Sequence, residues 1–204
     1  MRSQTVDLPP LSLRADVGTV NEDRRTVELV VSTGAAAARM DYWSGKRYLE
    51  ILQITPRSVR LERLNAGAPL LNAHMAYSVA NMLGTVEPGT ARIEKGQALA
   101  TVRFSKRADV EPIWQDVRDR IVRSVSVGYR VHKFEETAGD GQMPTRTAVD
   151  WEPFEVSLVP MPIDIGAKVR QGDRSETNRC LIVPAAALTD ADRRRQLQLV
   201  RARH

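Results

Sequence analysis

Three side chains in the sequence, Ser126, His74 and Glu155, are of the types that together break peptide bonds. A serine hydroxyl attacks a carbonyl carbon once a base takes its proton, and histidine suits that step near neutral pH. A carboxylate bonded to the imidazole then fixes which ring nitrogen carries the hydrogen. Because the three residues are far apart along the chain, this chemistry depends on a fold that brings them together.

Each of these residues also has an ordinary structural interpretation. Ser126 lies on the polar side of an alternating strand, where a serine commonly faces solvent. His74 follows a short apolar run, and a lone histidine at a strand end is usually structural. Glu155 lies between Phe154 and Val156, so its carboxylate is either exposed or held by a partner. Spacing alone does not decide between the two interpretations.

Period-two alternation of apolar and polar residues predicts the strands that would carry two of these residues. Residues 124–134 form one such strand. Two positions after Ser126 on this strand is Gly128, a residue small enough to leave room for a substrate backbone. Residues 148–160 form a second strand, which carries Glu155, and His74 ends a short extended segment.

The remaining patterns predict an α+β fold with a curved, mostly antiparallel sheet or small barrel flanked by a few helices. One helix begins at Thr55 and stops near Gly67, and a second begins at Asp109 with apolar residues at helical spacing through Ile121. Further strands are predicted at residues 26–31, 48–54, 83–86 and 97–104, and loops at residues 35–47 and 135–145.

Three segments around the candidate residues resemble the signature blocks of the prohead proteases of tailed bacteriophages. They are residues 70–74 (LLNAH) with 83–86 (LGTV), residues 123–129 (RSVSVGY) and residues 154–160 (FEVSLVP). The blocks occur in the family's order, and the resemblance covers about residues 10–165. Met75 is a departure, because many relatives place an acid directly after the histidine.

The resemblance implies a fold related to the herpesvirus assemblin and a serine endopeptidase of capsid maturation. It assigns the nucleophile to Ser126, the base to His74 and the acidic third member to Glu155. The implied substrates are either the scaffold segment of the major capsid protein or a separate scaffold, together with the protease's own chain. The implied location is the interior of the procapsid, in the cytoplasm of the bacterial host.

Two residues compete with these assignments. Ser124 shares a face with Ser126 at about 7 Å along an extended strand, although the Ser-Val-Gly-Tyr match favours Ser126. His132 is a possible third member, but it lies about 20 Å along the strand from Ser126. The acids Asp150 and Glu152 are weaker candidates than Glu155. An oxyanion hole built from backbone N–H groups leaves no trace in the sequence.

The composition argues against other chemistries. Cys180 is the only cysteine and the three histidines are scattered, so we predict no metal site, no cofactor and no disulfide within the chain. Aromatic residues make up 5% of the chain, which argues against a stacking surface for single-stranded nucleic acid. No apolar segment has the length of a membrane span, which predicts a protein of the reducing cytoplasm without a membrane partner.

The net charge of +5 lies entirely in residues 167–204, which hold nine basic and four acidic side chains. Nucleic acid is therefore expected to bind only through this tail, if at all. We predict a flexible arm at residues 1–11, a serine protease domain at 12–166, and a basic linker with a C-terminal helix at 167–204. The alternative function is a non-catalytic capsid assembly or scaffold protein that uses the tail for interaction. Self-association is compatible with both functions.

Overall fold

The computed structural model describes residues 3–8, 11–41, 44–138, 143–160 and 178–184. Strands dominate, and they are β1 (Gln4–Leu8), β2 (Leu11–Asn21), β3 (Thr26–Ser32), β4 (Ala37–Met40), β5 (Arg47–Leu52), β6 (Pro69–Asn72), β7 (Met82–Val86), β8 (Arg92–Glu94), β9 (Gln97–Phe104), β10 (Ser124–Thr137), β11 (Thr145–Leu158) and β12 (Asn178–Pro184). The helices are α1 (Glu62–Asn65), α2 (Glu111–Arg118) and a single 3-10 turn (Val79–Asn81). None of the helices in these ranges is long and apolar enough to cross a membrane.

All twelve strands belong to one mixed sheet in the order β1-β12-β10-β2-β3-β9-β7-β6-β11-β5-β4, with β8 beside β9. Most neighbours are antiparallel, but β12 runs parallel to β10, and β5 and β6 run parallel to β11. The sheet ends at β1 and β4 and so is not closed as a whole. A further pairing joins β10 to β11, so the sheet curves back on itself and unites the strands that carry Ser126 and Glu155. The predicted α+β class with a curved, mostly antiparallel sheet is confirmed at this level.

The hydrophobic core is built by the strands with the clearest alternation. Val27, Leu29 and Val31 of β3 are buried, as are Val102 and Phe104 of the neighbouring β9. Helix α2 covers this region with its buried Trp114 and Val117, and the Trp114 ring lies 5.1 Å from that of Phe104. Burial of such large apolar side chains is the main stabilising contribution to the fold.

Helix α2 lies where the sequence predicts it, but it is shorter than expected. It begins after Val110 with a proline in its first turn and ends at Arg118. Arg120 has a left-handed backbone (φ +59°), which no continuing right-handed helix can accommodate. Ile121 is therefore 71% exposed, and its predicted place on the buried face of the helix is wrong.

The helix predicted from Thr55 is mostly a turn. Ser58 accepts a hydrogen bond from the Thr55 backbone N–H (2.9 Å) and donates one to the Gln53 carbonyl (2.6 Å). Side-chain bonds of this kind offer the backbone an alternative to helix. Only residues 62–65 form the helix α1, and the chain leaves it at Gly67, which has a φ of +92°.

Three strands occur where the sequence predicts arm, loop or linker. Gln4–Leu8, inside the predicted flexible arm, forms β1, and Ala37–Met40, inside the predicted loop 35–47, forms β4. Asn178–Pro184, inside the segment 167–204 predicted as a basic linker with a C-terminal helix, forms β12 between β1 and β10. These segments become strands by pairing with neighbours that are distant in sequence, which their own composition does not specify. The predicted C-terminal helix lies outside the described residues, and the division into domains stays a prediction.

A buried polar cluster ties the β4–β5 edge of the sheet to β10. The Tyr129 hydroxyl donates to Glu50 Oε1, and Arg39 Nε donates to the same oxygen at 3.2 Å. Both Tyr129 and Glu50 are at most 1% exposed. Burial, with the charge of Glu50 next, raises the pKa of Tyr129 well above its ordinary value, so the phenol stays protonated as a hydrogen-bond donor.

Candidate active site

The register of β10 against β11 creates a patch of small and polar residues on one face. Ser126 lies directly opposite Ser157, and Gly128 lies directly opposite Glu155. Residues paired in this way share a face, with Cβ atoms about 4.5–5.5 Å apart. Ser126 and Ser157 are fully buried and Glu155 is 5% exposed, so this face of the two strands points inward. The interpretation of Ser126 as a solvent-facing serine is therefore wrong.

A tight turn after β6 brings His74 to this patch. Strand β6 runs beside β11 until Asn72 pairs with Leu158, and the next two residues, Ala73 and His74, have φ values of +49° and +62°. Left-handed conformations of this kind cost about 1–3 kcal/mol each and persist only where the surroundings hold them. The Ala73 N–H donates to the Leu158 carbonyl (2.9 Å), and the His74 N–H donates to Ser157 Oγ (3.1 Å).

His74 and Glu155 are directly hydrogen-bonded. Nδ1 of His74 lies 2.7 Å from Oε1 of Glu155, and the other carboxylate oxygen, Oε2, accepts the Ser157 hydroxyl at 2.6 Å. An ionised carboxylate is only an acceptor, so a neutral imidazole in this position carries its hydrogen on Nδ1. The lone pair that can act as a base is then on Nε2.

Two atoms at this site are buried without a hydrogen-bond partner among the described residues. They are Ser126 Oγ and His74 Nε2, the pair that a nucleophile and its base would join. The large majority of buried side-chain polar atoms in proteins have a hydrogen-bond partner, so such atoms call for an explanation. Ser157 neighbours both residues: it is paired with Ser126 across the ladder, and its hydroxyl oxygen accepts a hydrogen bond from the His74 backbone N–H. Ser157 is thus paired with Ser126 and hydrogen-bonded to both His74 and Glu155.

Gly128 makes room for the carboxylate of Glu155. A Cβ atom at position 128 would lie 2.3 Å from Oε1 and 2.9 Å from Cδ of Glu155. The sequence suggested that this glycine admits a substrate backbone, but the space next to it is occupied by Glu155. Any larger residue would displace the oxygen that binds His74.

The competing candidates His132, Glu152 and Asp150 belong to a separate cluster, whereas Ser124 is the first residue of β10, two positions before Ser126. His132 Nε2 lies 3.8 Å from Oε2 of Glu152, which also pairs with Arg63. Asp150 forms a bidentate pair with Arg60, with distances of 2.7 and 2.6 Å. Burial, and then the positive charge of Arg60, lower the pKa of His132. These contacts leave Glu155 as the acid that is bonded to His74.

Cysteine and metal chemistry find no support in the part of the chain that the structure describes. Cys180 is buried in β12, and burial raises the pKa of its thiol to about 12, so it does not form the reactive thiolate. No three His, Cys, Asp or Glu residues in the described ranges lie close enough to hold a metal ion.

Ser157 was not among the predicted site residues, although its spacing from Glu155 indicated that the two side chains share a face. Residues two apart on a strand share a face, so Ser157 had to lie beside Glu155. Its hydrogen bond to His74 depends on the turn after β6 and could not be read from that spacing.

Comparison with known proteins gives one finding that bears on function. The major capsid protein of Halomonas phage phiHAP-1 is 33% identical over 122 residues, which are 60% of this chain and 20% of that protein. The match therefore covers about a fifth of the length of that capsid protein. No protein-family model matches the chain, and no solved structure matches it. The chain is thus similar to part of a phage capsid protein.

Proposed function

We propose that this chain is a serine endopeptidase of phage capsid maturation, with Ser126 as nucleophile, His74 as base and Glu155 as the residue that orients the base. The observation that carries the proposal is the 2.7 Å bond between His74 Nδ1 and Glu155. That bond directs the basic lone pair to Nε2, which is buried and has no other partner among the described residues. A serine with an equally unpartnered hydroxyl lies on the adjacent strand.

The reaction begins when Ser126 Oγ bonds to the carbonyl carbon of the peptide, the C=O π electrons move to the oxygen to give a tetrahedral oxyanion, and the serine proton passes to His74 Nε2. The resulting imidazolium is stabilised by Glu155, and it gives the proton to the nitrogen of the leaving peptide as the C–N bond breaks. Water then adds to the carbonyl carbon of the acyl-enzyme while His74 takes its proton, the bond from that carbon to Ser126 Oγ breaks, and His74 returns the proton to Oγ as the carboxylic acid product leaves. The bond between Ser126 and His74 forms as the substrate binds, since such bonds are often long before that step.

Burial of the site favours this chemistry. Glu155 is 5% exposed, and both of its oxygens have hydrogen-bond donors. An imidazolium next to a carboxylate is more strongly stabilised in such a low-dielectric environment than in water. The left-handed turn at Ala73 and His74 holds the imidazole in place before substrate arrives, which is the use that active sites make of strained backbone.

The similarity to a major capsid protein supports the capsid part of the proposal. The match occupies a fifth of that protein, and it supports an association of this chain with phage capsids. The substrates would be the major capsid protein with its scaffold segment, and this chain itself, inside the procapsid.

A second candidate is a capsid assembly protein without catalytic activity. Two observations favour it: the relative is a capsid protein, and Ser126 Oγ and His74 Nε2 are not hydrogen-bonded to each other. In that case the buried polar patch would be a remnant that only stabilises the fold.

A serine-reactive fluorophosphonate distinguishes the two candidates without knowledge of the substrate. We expect the reagent to label the wild-type chain on Ser126, as located by mass spectrometry of peptides. The variant Ser124→Ala is the matched control, because it removes the neighbouring serine on the same strand and should label normally. Ser126→Ala should not label, and His74→Ala should label at least about 10⁴-fold more slowly.

Self-cleavage provides the second measurement. Wild-type chain incubated after purification should yield fragments that Ser126→Ala does not produce. The protease assignment fails if the folded wild-type chain is not labelled by the fluorophosphonate and does not cleave itself. It also fails if Ser126→Ala is cleaved at the same sites and rate, and either outcome favours the assembly protein.

A further inference from the structure

We infer that Ser157 is a positioning residue that holds both His74 and Glu155 in the orientation needed for proton transfer, an inference that rests on the proposed function. Ser157 is fully buried and contacts the two residues through separate bonds. Its oxygen accepts the His74 backbone N–H at 3.1 Å, and its hydroxyl donates to Glu155 Oε2 at 2.6 Å. No other side chain in the described ranges is hydrogen-bonded to both residues.

The bond to Glu155 fixes the plane of the carboxylate. A carboxylate held at one oxygen can rotate about its terminal bond, because that torsion is broad. With Oε1 bonded to His74 and Oε2 bonded to Ser157, rotation would break one of two charge-assisted hydrogen bonds. The Ser157 hydroxyl thus keeps Oε1 directed at Nδ1 of the imidazole.

The bond to the His74 backbone supports the left-handed turn. The parallel ladder between β6 and β11 ends where Asn72 pairs with Leu158. His74 lies beyond that point, with φ +62°, and its N–H finds a side-chain oxygen instead of a backbone carbonyl. Without Ser157 Oγ that N–H would lose its partner, and the turn that carries the imidazole would lose one of its supports.

These bonds also separate the roles of the two serines that face each other across the ladder. A hydroxyl has one hydrogen, and that of Ser157 is used on Glu155. Ser126 Oγ has no partner among the described residues, so its hydrogen is available for transfer to His74. Ser126 is therefore the nucleophile of the pair, and Ser157 acts only through His74 and Glu155.

The test is the tautomer of His74, which ¹⁵N NMR reads from the chemical shifts of the two ring nitrogens in protein labelled at histidine. His74→Gln identifies the signals of His74 among the three histidines. In the wild type we expect hydrogen on Nδ1 and none on Nε2. In Ser157→Ala we expect the two shifts to move toward each other, because the freed carboxylate no longer holds one tautomer.

Ser58→Ala is the matched control. Ser58 is also buried, and like Ser157 it accepts a backbone N–H (2.9 Å) and donates a hydroxyl hydrogen (2.6 Å), but it lies in the turn before α1. A merely structural serine at either position lowers the midpoint of urea unfolding without changing the His74 tautomer. Ser157→Thr retains the hydroxyl and should restore the wild-type shifts.

Fluorophosphonate labelling then measures the effect on Ser126. We expect Ser157→Ala to reduce the labelling rate about 10- to 100-fold, the effect of a misplaced catalytic group, and Ser157→Thr to recover most of it. If the ¹⁵N shifts of His74 are unchanged in folded Ser157→Ala, the positioning role of Ser157 is refuted, even if the fluorophosphonate labels Ser126 in the wild type. Changed shifts in a chain that never labels would uphold the positioning of His74 while the proposed function fails.

Discussion

Replacing Gly128 by alanine should disable the site while leaving the fold nearly intact. The new Cβ would lie 2.3 Å from Glu155 Oε1, whereas non-bonded heavy atoms rest at about 3.5 Å. Oε1 must therefore retreat by about 1 Å, on the same estimate of contact distance. Cδ and Cγ of Glu155 would lie 2.9 Å from the same Cβ, so the side chain must shift as a whole and take with it the oxygen that binds His74.

The expected losses of labelling rate and of folding stability in Gly128→Ala follow from this geometry. A retreat of that size lengthens the 2.7 Å bond between His74 and Glu155 beyond hydrogen-bonding range. A misplacement of about 1 Å costs about 100-fold in rate, which is the loss we expect in fluorophosphonate labelling of Ser126. The free energy of unfolding should fall by only about 1–3 kcal/mol, the usual cost of an added methyl group in a packed interior.

The double variant Gly128→Ala/Glu155→Ala provides the control. If the methyl group acts by displacing the carboxylate, it costs nothing further once the carboxylate is gone, so the two changes are not additive. Rates of labelling are compared in the wild type, both single variants and the double variant, with urea unfolding to show that each is folded. A wild-type rate in Gly128→Ala, or an equal loss in both backgrounds, would refute this explanation.

Three further outcomes follow from the contacts. Glu155→Gln should lower the rate of fluorophosphonate labelling by about 10⁴-fold, because an amide at this position no longer selects the His74 tautomer with a basic Nε2. A Glu155→Gln variant that keeps a tenth of the wild-type rate would contradict the role of Glu155. Tyr129→Phe removes the donor to the buried Glu50 and should lower the free energy of unfolding by about 1–3 kcal/mol, and an unchanged urea midpoint would contradict it. His132 has a lowered pKa in the folded chain, so the unfolded chain binds the proton more readily and stability should fall as the pH drops from about 7 to about 5. His132→Gln should flatten that dependence in urea unfolding at several pH values, and equal slopes in both proteins would contradict it.

Strands with strong alternation could be predicted from the sequence. β9 was predicted at residues 97–104 and is observed as Gln97–Phe104, and β10 and β11 contain most of the predicted strands 124–134 and 148–160. Period-two alternation is a local property, and burial of one face enforces it. β1, β4 and β12 could not be predicted, because each is a strand only through its neighbour in the sheet.

The amino-acid sequence is enough to identify the kinds of residue available for chemistry and the strands that carry two of them. Ser126, His74 and Glu155 could be chosen for their chemical types and for the blocks in which they occur. The hydrogen bonds among these residues follow from the folded arrangement, because His74 lies 81 positions from Glu155 in the sequence and 83 from Ser157. Strand register and a left-handed turn decide three features of the site. They are the binding of Nδ1 of His74 to Glu155, the need for glycine at position 128 and the two hydrogen bonds of Ser157. A shift of one residue in that register would turn these side chains to the other face, and no local pattern in the sequence specifies it.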